Sequence, residues 1–258
     1  MDAVDKNILF YLLKDGRMPQ RQIAKSLGIS AQTLNYRMSK MIDEKIIEGF
    51  VVRVSPAIYG LVDGYAAFVT DQVMDADYVT RLKCLEKITL YGVEGSSEEE
   101  VNRKIESFAG KLGQPVMKYI PPPGNYSGNS RDIDRKIIDQ LRKMPRAKIS
   151  EVARAIDLPV IRVKRRYNYL TKNHLLSVIA KVDLSKTDIV LFSIFSENQE
   201  ILQPVLSEVS IFQIRDEQSG VFVCFADNMV NARSVINTVR EKEKNSDVMV
   251  VYDYEFAS

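Results

Sequence analysis

The chain has 258 residues, enough for two to four small domains rather than a single core. It is 45% hydrophobic and 27% charged with a formal net charge of +2, an ordinary globular composition, and no apolar run reaches the roughly 18 residues a membrane-spanning helix needs. Two distant cysteines, Cys84 and Cys224, have no second Cys or His at ligand spacing, which excludes a disulfide framework or zinc site and leads to the expectation of a cytoplasmic protein without metal or cofactor.

The net charge hides an alternation. Residues 1–60 carry +3, 61–129 carry −3, 130–187 carry +9 and 188–258 carry −7. Two basic segments thus alternate with two acidic ones, a pattern that points to a polyanionic partner for the basic segments.

A helical pattern begins at once, with Val4, Ile8, Leu9 and Leu12 on one face, which argues against a signal peptide. Gly16 is expected to end this helix as a left-handed residue. Pro19 suits the start of a second helix, which turns Ile23, Ala24 and Leu27 inward. Gly28-Ile29-Ser30 then reads as the turn of a helix-turn-helix, with Ser30 capping the third helix. That helix, about residues 30–44, points Leu34, Met38 and Met41 inward. Its outer face offers Gln32, Thr33, Asn35, Tyr36, Arg37 and Lys40. Amides and hydroxyls suit base edges in the major groove, and cations suit phosphates. Residues 46–54 read as a turn and strand in the position of a wing, with Arg53 placed for a phosphate.

The string Asp5…Ile8-Leu9…Lys14-Asp15-Gly16-Arg17, Ile23-Ala24-Lys25-Ser26-Leu27-Gly28-Ile29-Ser30, Thr33-Leu34…Arg37 and Ile46-Ile47-Glu48-Gly49-Phe50 resembles the DNA-binding domain of the Lrp/AsnC family of prokaryotic transcription regulators. The resemblance implies a winged helix-turn-helix at residues 1–60 that binds double-stranded DNA. It also implies a following ferredoxin-like domain that dimerises and takes a small-molecule effector, whose identity the residues do not name.

Residues 61–120 form a shortened version of that second domain. Strands are predicted at residues 65–70, 88–93 and 116–120, helices near 76–85 and 97–112, and one middle strand is expected to be missing. Tyr65, Phe68 and Tyr91 are candidates for a small-molecule site, although strand aromatics are more often core. The family's turn of a Gly followed by an aromatic and an Asp is replaced by Gly95-Ser96-Ser97 here and by Gln218-Ser219-Gly220 in the last domain. Residues 121–130, which begin with three prolines, read as a linker.

The head then recurs at residues 131–187. Sliding the sequence by 129 positions places Asp5 on Asp134, Ile8 on Ile137, Leu12 on Leu141, Arg17 on Arg146, Ala24 on Ala153 and Arg37 on Arg166, and the apolar positions keep step throughout. Pro159 replaces the capping Ser30 and Asp157 replaces Gly28, so a changed turn is expected. The third helix of this copy carries Arg162, Lys164, Arg165, Arg166 and Lys172, with Val163, Tyr167 and Leu170 inward. Lys181 matches Arg53 after a one-residue deletion. Cations with few amides suggest a grip on phosphates rather than base reading. Residues 188–258 show the order βαββαβ of a ferredoxin-like unit.

The expected fold class is therefore α+β, two winged helix-turn-helix domains alternating with two ferredoxin-like domains. The expected function is sequence-specific transcription regulation, the first head reading sequence and the second adding phosphate contacts. An architectural nucleic-acid binder without an effector is the alternative. An enzyme like the haem-biosynthetic decarboxylases, which share the two-domain plan, would need titratable groups in a pocket. The chain has one histidine, His174, at the end of the basic helix, and no nucleophile–base pair or phosphate loop. A missing strand would leave the acidic domains unequal, so a homodimer with four heads, joined through those domains, is expected.

Overall fold

The two basic segments fold into one unit and the two acidic segments into another. The computed structural model describes residues 1–74, 77–122, 132–244 and 246–256. One unit comprises Tyr11–Leu61 and Pro123–Val182, the other Met1–Phe10, Val62–Pro122 and Asp183–Ser258. Most of the predicted linker lies outside the described residues.

In the basic unit, the first head has α1 (Ala3–Lys14, whose first residues belong to the other unit), α2 (Gln20–Leu27), α3 (Ala31–Asp43) and β1 (Ile47–Val54). The second has α5 (Asp132–Lys143), α6 (Ile149–Ala155), α7 (Val160–Lys172) and β6 (Leu176–Val182). Leu34, Met38 and Met41 are buried under α3, and Val163 and Leu170 under α7, as their spacing predicts. Ser30 accepts a hydrogen bond from the Thr33 backbone at 3.0 Å and so caps α3.

Two expectations about the turns need correction. Asp157 does not change the turn: its φ of 52° matches the 64° of Gly28, both left-handed, a region Asp tolerates better than most residues. The residues after α3 and α7 agree as well, with Lys45 at 58° and His174 at 56°. Gly16, by contrast, is not left-handed among the described glycines. It is needed for close approach. A Cβ there would lie 2.8 Å from the Phe50 ring and 3.1 Å from the backbone of β6, to which Gly16 donates a hydrogen bond at Val178.

The predicted wing strands do not fold back within their own heads. They pair with each other as an antiparallel ribbon. Val51 faces Ile179, Arg53 faces Ser177 and Gly49 faces Lys181. From Gly49 onward, after the one-residue deletion, each residue of β1 is equivalent in the repeat to the residue 128 positions later, so the register there is that of a local two-fold axis through the Val51–Ile179 pair. The ribbon also carries packing across the unit, since Val52, Val54 and Ile58 join the core of the second head around Ile137, Leu141 and Leu170.

In the acidic unit the first domain has β2 (Val62–Val69), β3 (Thr80–Cys84), β4 (Ile88–Gly95), α4 (Glu98–Leu112) and β5 (Met117–Tyr119). The helix predicted near residues 76–85 is a strand instead, and the strand predicted to be missing is therefore present. Among the described residues no helix stands between β2 and β3. Residues 80–84 alternate, with Leu82 and Cys84 buried and Arg81 and Lys83 half-buried on the other face, a period-two signal that outweighs helical propensity. The second domain has β7 (Val190–Ser196), α8 (Gln199–Leu206), β8 (Ser210–Arg215), β9 (Gly220–Ala226), α9 (Met229–Lys242) and β10 (Asp247–Phe256), the βαββαβ order predicted.

All eight strands form one sheet in the order β5-β2-β4-β3-β10-β7-β9-β8, so the two domains join edge to edge through β3 and β10. Arg81 lies 2.9 Å from Glu255 across this joint. Phe68 and Tyr91 pack with Phe108 under α4, which makes them core rather than a ligand site. Phe192, Phe222 and Cys224 do the same under α8 and α9. The opposite strand faces are buried too, through Tyr65, Ala67, Leu90 and Tyr119 in one domain and Leu191, Met249 and Val251 in the other. Tyr119 lies 5.7 Å from Phe195, tilted, and donates to Asp216 at 3.0 Å, while Phe10 of α1 lies 5.3 Å from Phe225, so these second faces are covered within the unit. The reason given for a homodimer, an unequal pairing surface, does not hold.

Candidate nucleic-acid interface

The turn at Gly28 and the cap at Ser30 set the start of α3, and Leu34, Met38 and Met41 fix its roll. Gln32, Thr33, Asn35, Tyr36 and Lys40 are left exposed and Arg37 half-buried. Tyr36 keeps 70% of its surface in solvent. The face therefore presents amides, hydroxyls and cations together. Lys40 lies 3.9 Å from Glu44 one turn on, a loose exposed pair that water and a phosphate can replace at little cost.

Helix α7 is set by the same turn, without a side-chain cap because Pro159 stands in place of Ser30. Arg162, Lys164, Arg165 and Lys172 are exposed. Arg162, Arg165 and Arg166, with Asp132 and Ile133, line an open recess of about 410 Å³. Arg166 differs from its neighbours. Its Nε and Nη2 donate to the two carboxylate oxygens of Asp134 at 2.8 and 2.5 Å, and its guanidinium lies 4.4 Å from the Tyr169 ring centroid. Asp134 is fully buried. Arg166 thus holds α7 to α5 and satisfies a buried charge, whereas the sequence placed it among the phosphate contacts. A count of cations on a helix cannot see a carboxylate one helix away.

The wing residues are placed by the ribbon. Arg53 is half-buried on β1, and Lys181 is exposed on β6 and pairs with Glu48 at 2.9 Å. As two-fold equivalents they stand on opposite sides of the Val51–Ile179 pair.

Arg17 and Arg146 were legible as repeat equivalents but not as functional. Arg17 donates to the carbonyls of Pro145 and Ala147 at 2.5 and 2.6 Å and lies over Tyr167. Arg146 lies 4.7 Å from the Phe50 ring centroid in the first head. Burial, helped by the charge of Arg17, pushes Arg146 below the ordinary arginine value. Each arginine reaches into the opposite head, so the pair serves the head-to-head joint. Their identity across the repeat was the available signal.

Elsewhere, burial pushes both thiols up to about 12, which removes their thiolate character at neutral pH. Among the described residues no group of three or more His, Cys, Asp or Glu could hold a metal, and no helix is long and apolar enough to cross a membrane.

Comparison with known proteins bears on this geometry. A family model described as winged helix-turn-helix DNA-binding matches residues 1–48. The HTH-type transcriptional regulator LrpA of Pyrococcus horikoshii is 42% identical over 60 residues, 23% of this chain and 43% of that protein. The amino-terminal head is similar, over these residues, to the winged helix-turn-helix heads of Lrp/AsnC-type regulators. The regulator AldR of Mycobacterium tuberculosis is 36% identical over 61 residues, 24% of this chain and 34% of that one. The chain thus spans less than half the length of these curated relatives. Among solved structures, the siroheme decarboxylase NirDL aligns with a TM-score of 0.49 and 10% identity over 97% of this chain and 91% of that one. The LrpC structure of B. subtilis aligns with a TM-score of 0.34 and 17% identity over 46% and 93%.

Proposed function

We propose that the chain is a sequence-specific, double-stranded-DNA-binding transcription regulator in which one polypeptide supplies the two heads that two subunits would otherwise bring. The observation that carries this reading is the β1–β6 ribbon. It relates two recognition helices by a local two-fold inside one basic unit, the symmetry that helix-turn-helix pairs use on pseudo-palindromic sites. The names of the curated relatives, all HTH-type transcriptional regulators, favour a binding role over a catalytic one.

In this reading Gln32, Thr33, Asn35 and Tyr36 of α3 contact base edges, while Arg37, Lys40 and Arg53 hold the flanking backbone. Arg162, Lys164, Arg165, Lys172 and Lys181 add phosphate contacts from the second head, and Arg166 acts through Asp134 to set the angle of α7. The acidic unit, whose sheet faces are covered internally, is the regulatory part. A single chain then suffices as the binding species. Light scattering decides this: a mass near 29.4 kDa is expected, and twice that value would restore the homodimer with four heads.

Footprinting over genomic fragments tests the function. Discrete protected sites are expected, and uniform coverage would favour the architectural alternative. If roughly six phosphates are neutralised, the log–log salt slope should be about −5. A slope near zero would remove the DNA reading.

A further inference from the structure

We propose that Ile161 reads thymine through its C5-methyl group, so that α7 is a base-reading helix and not only a grip on phosphates. The inference rests on the DNA-binding reading above and assigns a specificity to its second head.

Ile161 is the second residue of α7 and keeps 80% of its surface in solvent, beside Val160 at 47%. It does not serve the core, because Val163 and Leu170 already fill the inward positions. Helical spacing continues its stripe through Lys164, Arg165, Asn168 and Lys172, all exposed. Two adjacent apolar side chains at the head of a cationic stripe are too small a patch for protein docking. They do fit a polyanion that offers an apolar group at one point. The major-groove edge of DNA offers one, the thymine methyl, and β-branched or small apolar side chains recognise it by contact.

Position strengthens the argument. By the 129-residue repeat Ile161 is equivalent to Gln32, which is exposed at the same place on α3. The left-handed turns at Gly28 and Asp157 launch the two helices alike. The first turn of a recognition helix is the part that reaches base edges, while later turns pass beside the backbone. Gln32 offers an amide there and Ile161 a hydrocarbon. The two heads would therefore read different base pairs, and the preferred site would be asymmetric despite the two-fold of the ribbon.

The test uses the full chain and two duplexes of equal length, alternating dA–dT and alternating dA–dU, which differ only in the C5 methyl. The wild type should prefer the dA–dT duplex by about three- to fivefold, the value of one buried methyl. Ile161→Ala should bring that ratio close to one, with the larger loss of affinity falling on the dA–dT duplex. Arg165→Ala should weaken binding to both and preserve the ratio. Equal wild-type affinity for the two duplexes would overturn the inference, as would an undiminished preference in Ile161→Ala. Both results would leave the DNA-binding reading standing. Absence of binding to either duplex at low salt would overturn that reading and this inference with it.

Discussion

The two heads share their order of elements and their turn torsions and differ in what their third helices show to solvent. The left-handed residues after their second helices, Gly28 and Asp157, agree within about 12°, and those after their third, Lys45 and His174, agree within about 2°. Outward, α3 carries Gln32, Thr33, Asn35 and Tyr36 where α7 carries Ile161, Arg162, Lys164 and Arg165. The comparison teaches that inward residues and turn torsions hold the fold, while the outer stripe is free to change. Neighbouring Arg165 and Arg166 show how sharp that division is. One is exposed, and the other closes a bidentate pair with a buried carboxylate.

The largest expected effect tests that boundary. Arg166→Ala leaves the buried Asp134 carboxyl without its guanidinium partner, and should cost about 3–5 kcal/mol in urea unfolding. Arg165→Ala should stay within about 0.5 kcal/mol. Similar losses for both would mean that the Asp134 pair carries no structural weight.

Next in size is the division of labour on DNA. Gln32→Ala or Asn35→Ala should weaken the best site by about 1–3 kcal/mol and broaden base preference at that position. Arg165→Ala should weaken all sequences nearly equally and reduce the salt slope by about one. If quantitative binding selections instead show Arg165→Ala changing base preference and Gln32→Ala leaving it intact, the heads are assigned the wrong way round.

A smaller contrast separates the two helix starts. Ser30→Ala removes the only side-chain cap seen on the two recognition helices among the described residues, and thermal unfolding should show a loss of about 1 kcal/mol. The equivalent Pro159→Ala removes no cap, so a loss as large as that of Ser30→Ala would show that the cap is not what stabilises α3. Smallest of all, Asp157→Gly should relieve a left-handed non-glycine residue and stabilise the protein by about 0.5–1 kcal/mol. A destabilisation on chemical denaturation would mean that the carboxylate makes a compensating local bond.

The sequence by itself determined the parts of this protein that depend on neighbours along the chain. Helix faces, the turn at Gly28, the cap at Ser30 and the βαββαβ order of the last domain follow from periodicity and local hydrogen bonding. The duplication was equally legible, because apolar positions such as Leu12 and Leu141 must stay in step for one core to be built twice. The exposed residues of α3 could be chosen for the same reason. What only the tertiary structure decided are the pairings between distant segments. The strands after each head pair with one another, and β3 finds β10 rather than coiling into a helix. Arg166 finds Asp134, and Gly16 is required by a strand more than 160 residues away. Local patterns carry no record of such partners, since a strand edge, a cation or a glycine reads the same whether its partner is water, DNA or another part of the chain. Burial and register settle the choice, and they exist only once the segments are brought together.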